Sequence, residues 1–330
     1  MREVTIEHPN NEASALVAIH DHALLEAQGW DLAFWIASDE KPAAEALAAL
    51  GRAKDGTWTV AQLRTKLSKS STTKQAEDCE TIARAGSWIY VIGSQFGSKK
   101  GVLQAKRHFF IRFNESQVRD MSVEIELTRA PFVLHRLVND AIRARRLALI
   151  ERNDTFIEET LKAGKSKKWA KLVDKGDHPI NVEGAAFLPN GHILLGLRYP
   201  TTAAGHPILI EVERLDALFE GEDPRIAAVW IIDNIGSKAA PAGIRELDAR
   251  GASIHVLTGE LDNPGVPSGA PNEHVVIRVP PARKKTVHVK AKRIRKLPGG
   301  SNAEGLAVQD DGTVWYVHDD EQIRLAVAKL

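Results

Sequence analysis

Three glutamates stand at the same place in three copies of one short pattern. Residues 78–93 read Asp-Cys-Glu-Thr-Ile-Ala-Arg-Ala-Gly-Ser-Trp-Ile-Tyr-Val-Ile-Gly. Residues 181–196 read Asn-Val-Glu-Gly-Ala-Ala-Phe-Leu-Pro-Asn-Gly-His-Ile-Leu-Leu-Gly, and residues 302–317 read Asn-Ala-Glu-Gly-Leu-Ala-Val-Gln-Asp-Asp-Gly-Thr-Val-Trp-Tyr-Val. In each copy an acidic or amide residue lies two before the Glu, and an Ala (Ala83, Ala186, Ala307) three after it. If the fold brings Glu80, Glu183 and Glu304 together, their like charges need an offset. A hard cation with oxygen ligands, Ca2+ or another divalent ion, is one solution. A guanidinium forking onto carboxylates, from Arg198 or Arg245, is a second. A proton held by one raised-pKa carboxyl is a third. The plain structural reading is that each Glu bonds backbone N–H groups of a neighbouring repeat and pins it.

The elements that must position these residues are hairpins. Asn190-Gly191 between two apolar runs is a strong turn signal, because both positions tolerate positive φ. Hairpins repeated along a chain predict an all-β fold, a β-propeller. Two further copies are degenerate. In the first, Glu12 to Ile19 precedes Leu32 to Asp39, and Ala13 or Ser14 stands near the Glu position. In the other, residues 243–259, either Arg245 or Glu246 takes it: counting back from Gly259 favours Glu246, and matching Gly-Ile-Arg to Asn-Val-Glu favours Arg245. Five inner hairpins predict five blades, with six as the alternative. Residues 3–7 alternate like a strand and are a candidate for closing the ring with the chain's other end.

Residues 115–176 break the rhythm. Ala130 to Asn153 carries apolar residues at helical spacing, and Phe156 to Val173 reads as a second helix. This predicts a mainly helical insertion at 115–176 within a single domain of residues 1–330, a hidden blade being the alternative. The insertion is the asymmetric element that a protein partner would find. The Ala-rich run from Lys41 to Ala53 reads as a short helix.

The far ends of the second strands supply another set of polar residues: Ser38, Asp39, Ser94, Arg198, Glu260, His318, Asp319 and Asp320. In a propeller they could line a pocket at one mouth of the channel. His318 and Asp319 are adjacent on a strand and so point to opposite faces, which makes them no ready dyad. Ser94 lies in Gly-Ser-Gln, not in a nucleophile-elbow context.

The bulk numbers narrow the classes. The net charge of +1 over 330 residues argues against a dominant nucleic-acid or membrane field. The basic clusters Lys162 to Lys175 and Lys284 to Lys296 read as solvated faces. A single cysteine, Cys79, excludes an internal disulfide and reads as a small buried hydrophobe. With no apolar leader and no run of membrane-spanning length, a cytoplasmic protein is the expectation.

The ordered set of motifs resembles a family. Asp78-x-Glu80 running to Ile92-Gly93-Ser94, the strand closing at Phe113, Asn181-x-Glu183-Gly184 running to Leu195-Gly-Leu-Arg198, and Gly243-Ile-Arg245 are similar to the phytase-like (esterase-like) propellers, nearest to a bacterial propeller family of unknown function. The resemblance implies that each Glu begins an innermost strand and faces the central channel, where some similar propellers hold Ca2+ or another divalent ion. It places Glu80, Glu183 and Glu304 as the candidate metal set. The channel or pocket set is Ser38, Asp39, Ser94, Arg198, Arg245, Glu246, His318 and Asp319. The expected function is a module binding a small-molecule ligand or a protein. The alternative, implied by the resemblance, is a metal-dependent hydrolase of esters or phosphoesters.

Overall fold

The computed structural model describes residues 2–6, 13–39, 41–72, 75–98, 101–151, 154–261, 270–280, 284–298, 302–318 and 323–330. Five antiparallel blades surround one axis. Blade 1 runs outward through Ala15–Ala18, Trp30–Ala37, Leu47–Ala53 and Trp58–Gln62. Blade 2 uses Cys79–Ala85, Trp88–Gly93, Phe109–Asn114 and Ser122–Arg129, blade 3 Asn181–Phe187, Ile193–Tyr199, Ile208–Glu213 and Arg225–Ile232. Blade 4 uses Gly243–Arg250, Ser253–Gly259, Glu273–Arg278 and Lys292–Lys296. Blade 5 is Ala303–Val308, Thr313–His318 and Ile323–Lys329, completed by Arg2–Ile6, which pairs antiparallel with the last of these from Arg2–Val327 to Ile6–Ile323.

Neighbouring blades also share edge strands. Arg64–Leu67, between blades 1 and 2, pairs in parallel with the outer strand of blade 2. Thr286–Val289 leaves blade 4 to pair in parallel with the outer strand of blade 3, and the chain then returns as Lys292–Lys296. Apolar side chains fill the spaces between blades, since both faces of a blade are covered. That explains Leu47–Ala53, expected as a helix and found as a strand. Leu47, Ala49 and Leu50 are all fully buried between blades, and this burial outweighs the helix preference of Ala.

Within 115–176, Ser122–Arg129 belongs to blade 2, and helices occupy Val133–Ala144 and Asp154–Gly164, followed by a short turn at Lys168–Leu172. Leu134, Val138, Ala141 and Ile142 form the buried stripe of the first helix, packed against the cores of blades 2 and 3. The second helix packs Phe156 and Ile157 against Phe96, Leu103 and Phe132. Buried Asp177 ties this layer down, receiving Arg136 and Arg143 at 2.9 Å each and lying 3.2 Å from His135 Nε2. Among the described residues no helix is long and apolar enough to cross a membrane.

Candidate functional site

The pairing of the two innermost strands skips one residue in four of the blades. Cys79 opposes Gly93 and Thr81 opposes Ile92, so Glu80 is left over. Glu183, Arg245 and Glu304 are left over in the same way in blades 3, 4 and 5. Each is a β-bulge, which re-aims the extra side chain out of the ladder. Arg245, not Glu246, therefore takes the Glu place in blade 4. In blade 1 the same register puts Ser14 there, its N–H bonded to the Ala37 carbonyl at 2.9 Å and its partner strand beginning at Ala15. The upper mouth of the channel is thus ringed by Ser14, Glu80, Glu183, Arg245 and Glu304.

One residue further along each innermost strand, the ring is Ala15, Thr81, Gly184, Glu246 and Gly305. A Cβ on Gly184 would lie 2.9 Å from Ile244 Cγ2, and one on Gly305 3.0 Å from the Ala15 carbonyl carbon. The Gly of the Glu-Gly pair is there because the next innermost strand comes this close. Four small residues leave room on the axis, and Glu246 fills it, fully buried. It accepts from Thr81 Oγ1 at 3.0 Å and from the Leu247 N–H at 2.8 Å. Burial pushes its carboxyl well above the usual range, which favours the neutral acid.

Above this plug the charges divide into two halves. On the side of blades 3 to 5, Arg198 Nη1 donates to Glu183 at 2.6 Å, and Asn181 Nδ2 donates to the same oxygen at 3.1 Å. Arg245 lies 3.5 Å from the other Glu183 oxygen and pairs with Glu304 through its Nη2. Glu183 and Glu304, expected as metal ligands, are thus paired with arginines, the second of the compensations foreseen for them. On the side of blades 1 and 2 the acids crowd together. Oxygens of Asp39, Asp78 and Glu80 all lie within 4.8 Å of one another. Arg107 reaches Asp78 at 2.8 Å and Ser94 Oγ donates to its other oxygen. Burial raises Asp78 to about 6 against the pull of Arg107. Burial, reinforced by Asp78, Glu183 and Asp39, raises Glu80 well above the usual carboxylate range.

The residues expected to line a pocket lie at different heights along the channel. Ser94 and Arg198 belong to it directly, and Asp39 joins the acidic side. Ser38 and His318 are buried at the same level of their strands, while Asp319 and Asp320 lie outside the described residues. Glu246 sits one layer lower, as the plug. Cys79 is fully buried, and burial pushes its thiol well up, as befits a small core residue. Asp78, Arg107, Asn181 and Ser14 belong to the site and were not singled out by the motif. The recurring acid or amide two before each Glu was the signal for Asp78 and Asn181. Nothing local marks Arg107, which arrives from the third strand's approach.

An open groove of about 1140 Å3 lies on the outer flank of blades 1 and 2, lined by Gln62, Arg64, Lys66 and Ser68. It holds none of the buried carboxylates and has the geometry of a surface cleft. A smaller one of about 200 Å3 is the lower mouth of the channel, below the plug, with His20, Arg84, Asp248 and Arg250 on its wall.

Similarity to solved structures is at the level of fold. The extracellular domain of a putative hybrid two-component system from Bacteroides thetaiotaomicron aligns over 97% of this chain at 10% identity and a TM-score of 0.34. The chain spans only 28% of that one's length. A putative oxidoreductase (glucose dehydrogenase) from Thermus thermophilus aligns over 98% of this chain and 86% of its own, at 9% identity and a TM-score of 0.42. Virginiamycin B lyase from Staphylococcus aureus aligns over 100% and 99%, at 8% identity and a TM-score of 0.40. No curated protein matches the sequence significantly. A family model matches residues 26–307, which takes in the innermost strands of blades 2, 3 and 4 and most of that of blade 5. The chain belongs to the family described as "Protein of unknown function (DUF3616)".

Proposed function

We propose that the protein binds a small, oxygen-rich organic ligand at the upper mouth of its channel. The observation that carries this reading is a concentration of buried polar atoms without a partner at that mouth. Ser14 Oγ, Ser38 Oγ and Asn181 Oδ1 are all buried and make no hydrogen bond. Leaving such atoms unsatisfied costs about 1–3 kcal/mol each, so their clustering marks a place that something polar completes. Carboxylates that accept and guanidiniums that donate stand side by side there, which suits hydroxyl-bearing ligands able to do both. Glu246 closes the channel beneath the mouth.

The test is a thermal-shift and calorimetric screen of sugars, polyols and sugar acids against the wild type, Arg198→Ala and the surface control Asp31→Asn. A ligand that stabilises the wild type and the control but not Arg198→Ala supports the reading. Ligands that bind wild type and Arg198→Ala equally, or a panel that leaves the melting temperature unchanged throughout, count against it.

Metal-dependent hydrolysis of an ester or phosphoester is the second reading. The phytase-like cast of the Glu-Gly hairpins favours it, and so does the placing of Arg198 across the mouth from the acidic cluster. An arginine and a cation flanking one substrate oxygen would stabilise charge developing on it. Turnover of p-nitrophenyl acetate or p-nitrophenyl phosphate, lost with chelator and with Glu183→Gln, would support this second reading. Turnover that survives both would remove it.

A further inference from the structure

We propose that Asp39, Asp78 and Glu80 form a site for one hard divalent cation, Ca2+ before Mg2+, at the junction of blades 1 and 2. The inference deepens the upper-mouth reading and rests on it.

The geometry is the first support. One oxygen from each of the three carboxylates falls inside a sphere small enough for a single ion to touch all of them, since the oxygens are within 4.8 Å of one another and opposed ligands of a Ca2+ ion stand roughly twice 2.3–2.6 Å apart. The three come from two blades and two strand ends, the close of Trp30–Ala37 and the start of Cys79–Ala85, so the ring holds them together rather than one flexible loop.

The second support is independent of the acids. Ser14 Oγ occupies the bulge place of blade 1, next to that of Glu80, and is 2% exposed with no partner. Asn181 Oδ1, 8% exposed, also has none. Its strand is tied to the acidic half by the Val182 N–H bond to the Ser94 carbonyl at 2.8 Å, and the Ser94 hydroxyl in turn donates to Asp78. Both atoms are neutral oxygen donors, the kind that completes a coordination shell begun by carboxylates.

The donor set is the third, and it chooses among metals. Every ligand named for the site is oxygen, and the nearby thiol of Cys79 is fully buried in the core, a set that suits a hard cation better than zinc or copper, which favour nitrogen and sulfur. Mixed carboxylate, hydroxyl and amide oxygens in irregular array suit Ca2+ better than Mg2+, which demands a near-ideal octahedron.

The experiment is titration calorimetry of chelator-stripped full-length protein with CaCl2 and with MgCl2, no organic ligand present. Tb3+ luminescence gives a second readout. The expected result is one Ca2+ per chain, with Mg2+ weaker. Binding should fall at least tenfold in Asp39→Asn and in Glu80→Gln, fall a few-fold in Ser14→Ala, and stay unchanged in Asp31→Asn. Circular dichroism identifies variants that remain folded, and Ser14→Ala keeps the test alive if the acidic substitutions do not. No saturable binding up to millimolar Ca2+ or Mg2+ would overturn the site, as would undiminished binding in a folded Asp39→Asn/Glu80→Gln protein. Loss of the ion with an organic ligand still bound in chelator would sink the metal alone. Ion binding without any ligand from the panel would sink only the ligand reading.

Discussion

Glu246 of blade 4 accepts a hydrogen bond from Thr81 of blade 2 at 3.0 Å, so one side chain spans the axis of the ring and closes it. Burial holds its pKa well above the usual carboxylate range. A raised native pKa means that the stability linked to this group is present at low pH and lost as pH rises through the native value. Glu246→Gln keeps the shape and cannot ionise. It should therefore match the wild type below about pH 4, the ordinary carboxylate range, and gain on it as pH rises from there, seen as a widening gap between melting curves taken at increasing pH. Glu246→Ala, which empties the axis, should cost about 2–4 kcal/mol at any pH.

Glu115 locks blade 1 to blade 2. Its carboxylate accepts from the His20 and Asp21 N–H groups at 3.1 and 2.9 Å, from Trp35 Nε1 at 2.8 Å, and from both terminal nitrogens of Arg84. Removing one partner of a buried pair strands the other. Glu115→Ala should lose about 3–5 kcal/mol in urea unfolding. Arg84→Met in the same background should restore part of it, which a double-mutant cycle would read out.

Gly184 stands where blade 4 presses on blade 3. Gly184→Ala puts a methyl against Ile244 Cγ2 at 2.9 Å and Leu247 Cγ at 3.0 Å, and should destabilise by about 1–3 kcal/mol. Gly176→Ala, with open space around it, should leave the midpoint unmoved.

Buried between blades 4 and 5, His255 Nδ1 lies 2.9 Å from His274 Nε2, and His274 Nδ1 lies 2.8 Å from the Tyr316 hydroxyl. Burial lowers His255 to about 4 and His274 to about 3, each also repelled by a positive neighbour. Native values below the unfolded ones mean stability that is full above about pH 6.5 and drains away as pH falls toward 4 and below. Acid unfolding should set in across this window, and His255→Phe/His274→Leu should flatten the pH dependence even if it lowers stability at neutrality.

Much of this was legible in the residues. The Glu-Gly hairpins announce the propeller because Glu needs a bulge and Gly needs the close approach of the next strand, and both leave a mark at fixed spacing. The choice between Arg245 and Glu246 was not legible, since a bulge moves the register by one residue and only the pairing of Ile244 with Thr258 and Glu246 with Leu257 decides it. Leu47–Ala53 misled because Ala carries no sign of being sandwiched between blades. The division of the mouth into an arginine-bridged half and an acidic half depends on which side chains meet across blades. Arg107 and Asp78 are neighbours in space through the third strand, and periodicity within either segment says nothing of it.

The pairing of Arg2–Ile6 with Ile323–Lys329 sets a timetable for folding. The early-made strand must wait for a late-made one, so the ring cannot shut until nearly the whole described chain has left the ribosome. Until then the facing flanks of blades 1 and 5, which Phe34, Trp58 and Trp315 later seal by ring contacts, stay wet and apolar. That interval is when a growing chain of this kind is most prone to stick to its neighbours.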